Sequence, residues 1–196
     1  YYRFKSNTIA AVSVTALVFV ILSFGVWRLG QTEEATSFVS VASVTTDLHL
    51  EGSEIPNKDQ LVDGTSELFN RSQQAVDDGA SLVVWNEGST LVFPDTEADL
   101  ITRGQHFSLT NSVDLVMAYL IVLDEHNFRY DNKYVWISET GQVIEEYSKH
   151  FPVPGEPMMA GSKPIEVLDR PYGKVAGAIC YDYDFPKLDK NIFQIK

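Results

Sequence analysis

Glu87, Lys149 and Cys180 supply, in that order along a chain of 196 residues, a carboxylate, an ammonium and a thiol. Glu87 closes the apolar run of Val83-Val84-Trp85-Asn86-Glu87-Gly88, and Cys180 closes that of Gly177-Ala178-Ile179-Cys180-Tyr181-Asp182. Lys149 follows a hairpin-like stretch in Tyr147-Ser148-Lys149-His150, which runs into Pro154-Gly155-Glu156. The set suits acyl transfer through a thioester. A thiolate attacks a carbonyl, a carboxylate handles protons, and a fixed cation stabilises the tetrahedral oxyanion. The Cys180 thiolate is expected to be favoured by the Lys149 cation. The backbone N–H of Tyr181, next after the nucleophile, is the second oxyanion donor. Taken singly the three are ordinary: a strand-end glutamate, a surface lysine, a small core cysteine. The weight lies in the combination, with each residue at the end of an element.

The same residues carry a resemblance to a known family. Trp85-Asn86-Glu87, Tyr147-Ser148-Lys149-His150-Phe151-Pro152-Val153-Pro154-Gly155-Glu156 and Ile179-Cys180-Tyr181-Asp182 resemble the three motifs of the carbon–nitrogen hydrolase (nitrilase) superfamily. Its members use a Glu–Lys–Cys triad in this order. Within it the chain is most similar to the membrane-bound apolipoprotein N-acyltransferase branch, over roughly residues 37–186. Three positions depart from that branch. Asn86 replaces its proline, Asp182 stands where it usually has a glutamate, and no aromatic precedes Gly155. The resemblance implies part of a four-layer α-β-β-α sandwich. It also implies a phospholipid acyl donor and the N-terminal amine of a lipoprotein as acceptor. By the same resemblance Glu156 orients Lys149 or serves near the acceptor; a solvated loop glutamate is the plain alternative. Two other functions stay open: a membrane-tethered amidase or nitrilase, in which water resolves the thioester, and an inactive membrane-anchored remnant. The chain reads as a fragment, starting at Tyr1 and ending sixteen residues past Cys180.

Composition excludes several classes. A net charge of −12 argues against nucleic acid, which needs a basic surface, and leaves no polybasic patch for lipid headgroups. The single cysteine rules out an internal disulfide. His49, His106, His126 and His150 are scattered without zinc spacing, so no metal or other cofactor is expected. There is no G-x-G-x-x-G, P-loop or G-x-S-x-G elbow. Asn70-Arg71-Ser72 is a glycosylation sequon in form only.

The elements that must position the triad read as follows. Thr8 to Trp27 holds no charge and, at about 1.5 Å per residue, spans about 30 Å, the thickness of a bilayer core. It is longer than a signal-peptide core, and residues 1–30 are taken as a transmembrane helix with its flanks. Arg3 and Lys5 before it put the N-terminus inside and the soluble part on the outer, periplasmic side of the cell membrane. A polar linker covers 31–36, and the hydrolase-like domain covers 37–196. Strands are expected at 38–44, 81–86, 115–123, 165–168 and 174–180, and helices at 59–78 and 96–112 with Thr96 as cap. Asp131-Asn132 signals a turn, and 133–138 pairs with 143–147 across Thr140-Gly141. Strand–helix alternation followed by hairpins gives an α/β layered sheet. Met158 and Met159, after Pro157, are expected with Ala160 on an exposed loop by the site, as an adaptable path for an acyl chain. The alternative is that they fill gaps in the core.

Overall fold

The computed structural model describes residues 2–31, 38–47 and 58–185, with side chains from Thr8 in the first stretch and Gln60 in the third. The 32–36 part of the linker, His49, and the tail after Phe185 lie outside the described residues, as do the side chains of Arg3 and Lys5. The chain divides into two compact units, Tyr1–Phe38 and Val39–Lys196.

The first unit is helix α1, Tyr2–Leu29. Its Thr8–Leu29 stretch is 22 residues long with a mean hydropathy of 2.5, and its apolar side chains are exposed all round. That meets the length and composition of a membrane span; an N-terminal signal sequence meets the same test.

The second unit is built on one mixed sheet. Its elements are β1 (Val41–Val44), α2 (Lys58–Asp77), β2 (Leu82–Trp85), β3 (Leu91–Val92), α3 (Glu97–Asn111), β4 (Asp114–Asp124), β5 (Arg129–Ile137), β6 (Val143–Ser148) and β7 (Met158–Met159), followed by the separate hairpin of β8 (Leu168–Arg170) and β9 (Gly173–Val175). The sheet order is β1-β2-β4-β5-β6, with β3 added to β4 and β7 to β5. β1, β2 and β4 are parallel because each crossover between them is a helix; β4, β5 and β6 are antiparallel hairpins.

Strand alternation sorts side chains onto two faces. Val83, Trp85, Leu115, Met117, Tyr119, Val135 and Ile137 pack with Leu68 and Phe69 of α2 and Leu100 and Phe107 of α3. Leu82, Val116, Ala118, Tyr134, Trp136 and Tyr147 form the opposite face, with Ile165, Ile179 and the β8–β9 hairpin against it. The described residues thus give a helix layer on a sheet layer, and the candidate catalytic groups belong to the face the helices leave free. The Ser72 hydroxyl of the sequon is buried in α2, donating to Leu68 O at 2.7 Å and accepting the Trp85 indole N–H at 2.9 Å.

Several sequence expectations are corrected. Asp131-Asn132 is no turn: both residues lie within β5, and the chain reverses earlier, where Asp124 accepts the backbone N–H groups of His126 and Asn127. Asp and Asn are turn formers by local bonding, but cross-strand pairing overrides that preference here. Thr96 stands at the start of α3, yet its hydroxyl bonds the Phe93 backbone instead of capping the helix. The last strands are shorter than expected, and Cys180 is not at a strand end; β9 stops at Val175.

The β8–β9 hairpin is tied to the sheet by a buried ion pair. Asp114, 2% exposed, accepts Arg170 Nε at 2.8 Å and Nη2 at 2.6 Å, the Tyr172 hydroxyl at 2.6 Å and the Glu139 N–H at 3.0 Å. Burial works to raise the Asp114 carboxyl, but the bonds from Arg170 and Tyr172 prevail and hold it below the usual range. Its contribution to stability is therefore complete above the ordinary carboxylate pKa and is lost as pH falls through the lowered native value. Arg170→Met should cost about 3–5 kcal/mol in urea unfolding, because Asp114 is left buried without its partner.

Candidate active site

Glu87 stands two residues past β2. The Asn86 N–H is still held by Val44 O at 3.0 Å, so the ladder fixes the carboxylate's approach. Gly88 then turns the chain at φ 65°, a conformation that favours glycine. Glu87 Oε1 accepts Asn132 Nδ2 at 2.7 Å and Lys149 Nζ at 3.1 Å.

Lys149 follows β6 directly. Its N–H donates to Asn132 O at 2.8 Å, and its carbonyl accepts the Gly161 N–H at 2.8 Å. The residue must be glycine there, because a Cβ on Gly161 would sit 2.2 Å from Ser148 O. The Lys149 side chain is 1% exposed, so its ammonium needs partners. It has three: Glu87 Oε1 at 3.1 Å and Glu156 Oε1 and Oε2 at 3.1 and 2.9 Å. Burial pulls its pKa down, but the bonds to Glu156 and Glu87 outweigh it, and the ammonium is held charged above its usual range.

Glu156 is not a solvated loop residue. It also accepts the Val153 N–H at 2.8 Å and the Tyr130 hydroxyl at 3.0 Å. Burial opposes its ionised form, yet those donors and Lys149 together hold its carboxyl below the usual range.

Cys180 is exposed and opens a single turn of 3₁₀ helix, Cys180–Asp184. Its φ of 45° is unusual for a residue with a Cβ. Desolvation raises the thiol's pKa, and so do the charge of Glu87 and a hydrogen bond with it. The Lys149 cation and the Tyr181 N–H pull the other way and do not prevail. The Lys149 cation does favour the thiolate, as expected, but it does not set the net direction. Desolvation leads, and the charge of Glu87 adds to it against a lysine already matched by two carboxylates. The structure thus brings Glu87, Lys149 and Glu156 into one bonded row, with the Cys180 thiol within electrostatic reach of Glu87 and Lys149.

Asp182 accounts for the register between the nucleophile turn and the lysine loop. It is fully buried, its N–H donates to Ile179 O at 3.0 Å, and its carboxylate accepts the Phe151 N–H at 2.8 Å, the His150 N–H at 3.2 Å and the Tyr147 hydroxyl at 2.7 Å. The Tyr147 proton is thereby used, so the 2.8 Å contact with His150 Nδ1 has the imidazole as donor. Asp182→Ala should lower kcat about 100-fold through misplacement of Cys180 against Lys149. It should also cost about 1–3 kcal/mol for the stranded donors, read in a thermal melt.

Met158 and Met159 part company. Met158 pairs with Tyr130 in β7 and is buried among Leu91, Leu120 and Val122, which corrects its placement on an exposed loop. Met159 is 44% exposed and lines a cavity of about 290 Å³ with Asp131, Lys133, Ser148 and Lys163. Tyr130 was not singled out from sequence, and Asn132 only as part of a turn. Their signal was there: Tyr130, Asn132 and Tyr134 alternate and so share the face that carries the site.

No family model matches the sequence. Solved structures do match the fold. A carbon–nitrogen hydrolase from Helicobacter pylori G27 superposes with a TM-score of 0.61 at 13% identity, over 78% of this chain and 55% of that one. An amidase from Nesterenkonia sp. gives 0.56 at 16% identity, over 81% and 61%. An alanine-for-cysteine mutant of the Nesterenkonia sp. AN1 amidase in complex with butyramide gives 0.60 at 15% identity, over 81% and 61%. The second unit therefore has the mixed α/β fold found in the nitrilase superfamily. The chain spans 55–61% of the length of these three proteins.

Proposed function

We propose that this chain carries the catalytic groups of a membrane-bound acyltransferase. It would take an acyl chain from a phospholipid onto Cys180 as a thioester and pass it to the N-terminal amine of a lipoprotein. The observation that carries the reading is the exposed Cys180 thiol beside a carboxylate–ammonium–carboxylate row of Glu87, Lys149 and Glu156. Because the thiol is protonated at rest, Glu87 must remove its proton as the sulfur attacks the ester carbonyl. Lys149 Nζ and the Tyr181 N–H hold the oxyanion. Collapse breaks the ester C–O bond, and Glu87 returns the proton to the departing alkoxide. The acceptor amine then attacks the thioester and gives its proton to Glu87. Cys180 leaves as thiolate and is reprotonated. Glu156, bonded through both oxygens, keeps Lys149 aimed and charged. Met159 is the residue of the methionine pair left free to meet an acyl chain.

The membrane-length helix and the motif resemblance favour a lipid donor, with the second unit on the outer, periplasmic side. A second reading, a membrane-tethered amidase, is favoured by the two fold matches named as amidases. Detergent-solubilised protein, given a phospholipid and an amine-terminated lipopeptide, should form the N-acyl product. Hydrolysis of simple amides without acyl transfer would move the assignment to the amidase.

A further inference from the structure

Glu145 is a buried carboxyl that the mechanism does not use. It lies on β6, 2% exposed, on the face that carries the site. Its Oε2 accepts the Tyr134 hydroxyl at 2.7 Å, and its Oε1 accepts the Glu166 N–H at 3.3 Å. The same Tyr134 oxygen is 3.2 Å from Gly177 O, three residues before Cys180. Contact there is close: a Cβ on Gly177 would come within 2.6 Å of the phenol oxygen. Residues 176–179 belong to no strand, and Ile179 is buried against the cluster of Tyr134 and Tyr147. The backbone that delivers Cys180 therefore leans on the Tyr134 hydroxyl.

A phenol has one proton to give. With Glu145 ionised, Tyr134 donates to the carboxylate, and Gly177 O faces a lone pair. With Glu145 neutral, the carboxyl can donate to the phenol oxygen, and the phenol proton turns to Gly177 O. Burial pushes the Glu145 carboxyl up, against the bonds from Tyr134 and the Glu166 N–H. Lys163 lowers it and Glu166 raises it further. Around Tyr134 the other ionisable groups are Tyr147 and Tyr183, and the phenol itself is pushed far above its usual range by burial and Glu145. Of the Tyr134–Glu145 pair, it is the carboxyl that loses its proton first.

We propose that Tyr134 and Glu145 are positioning residues for the nucleophile. Glu145 directs the single phenol proton, so that Gly177 is anchored when Glu145 is neutral and released when it is ionised. The inference depends on Cys180 as the reactive group but not on the identity of the substrate. An anchored Gly177 keeps the thiol beside Glu87, whose charge opposes its ionisation. Release frees it.

The test is the rate of Cys180 alkylation by iodoacetamide on the whole chain between about pH 5 and about pH 9. The wild-type log rate should follow a line of unit slope at low pH and cross to a parallel line about 3- to 10-fold higher as Glu145 ionises, below the thiol's own plateau. Glu145→Gln, whose amide always donates to the phenol oxygen, should stay on the lower line. Tyr134→Phe should stay on the upper line, with lower kcat and unchanged KM. The proposal is overturned by a wild-type profile without the crossing, or by either folded variant retaining it. If Tyr134→Phe does not fold, Glu145→Gln decides alone. If neither folds, hydrogen exchange of the Ala178–Cys180 amides in the wild type decides: exchange independent of pH, after correction for base catalysis, overturns it. Alkylation that behaves as described in a protein without acyl transfer would sink the functional reading and leave this one standing.

Discussion

Cys180→Ala should abolish turnover and leave the melting temperature within about 2 °C of wild type. The thiol is the atom that forms the covalent bond, so nothing else in the site substitutes for it. Its removal is structurally cheap. The residue is exposed, and the turn that holds it depends on the backbone N–H of Asp182 and on the carboxylate of Asp182, not on the sulfur. Alanine meets the same cost at φ 45° as cysteine does, since both carry a Cβ. A steady-state assay beside a thermal melt separates the two statements. Retained activity in this variant contradicts the thioester mechanism outright.

Lys149→Met combines a catalytic and a structural loss. The catalytic part is one oxyanion donor, about 100- to 1000-fold in kcat. The structural part comes from what remains. Glu87 and Glu156 both bond the same Nζ, which is 1% exposed, and without it two carboxylates face each other across an apolar side chain. Breaking a buried charge pair on one side costs about 3–5 kcal/mol. Lys149→Arg should not rescue it, because a planar guanidinium does not fit a cavity closed around a compact ammonium. Denaturant midpoints and kcat together check this; a loss of kcat with unchanged stability would mean that the three-residue row is weaker than its geometry implies.

How much of this was legible in the sequence differs by kind. The apolar helix and the central strands showed themselves as continuous apolar runs, and the two crossover helices through the helical spacing of their apolar residues. The three chemistry-bearing segments could be named by residue type. What could not be read was how they are joined. Asn132 bonds Glu87 through its side chain and Lys149 through its carbonyl, yet next to Asp131 it looked like a turn. Asp182 looked like part of a motif, and its function as a tie between two loops depends on donors 31, 32 and 35 residues away. That the Lys149 cation does not set the net direction at Cys180 could not be read either. Whether that cation is already neutralised depends on Glu87 and Glu156, which no local pattern brings to it. Met158 was misplaced because a two-residue strand leaves no periodicity to detect.

The central claim is a covalent acyl group on Cys180, and intact-mass spectrometry after incubation with a phospholipid donor, without acceptor amine, tests it most directly. The account predicts a mass gain of one acyl chain, localised to the peptide bearing Cys180, released by hydroxylamine and absent from Cys180→Ala. Glu87→Gln should lower its rate of formation by about 100- to 10,000-fold, since the proton must leave the thiol as the bond forms. An acyl group found on another residue, or on Cys180→Ala as readily as on wild type, would contradict it.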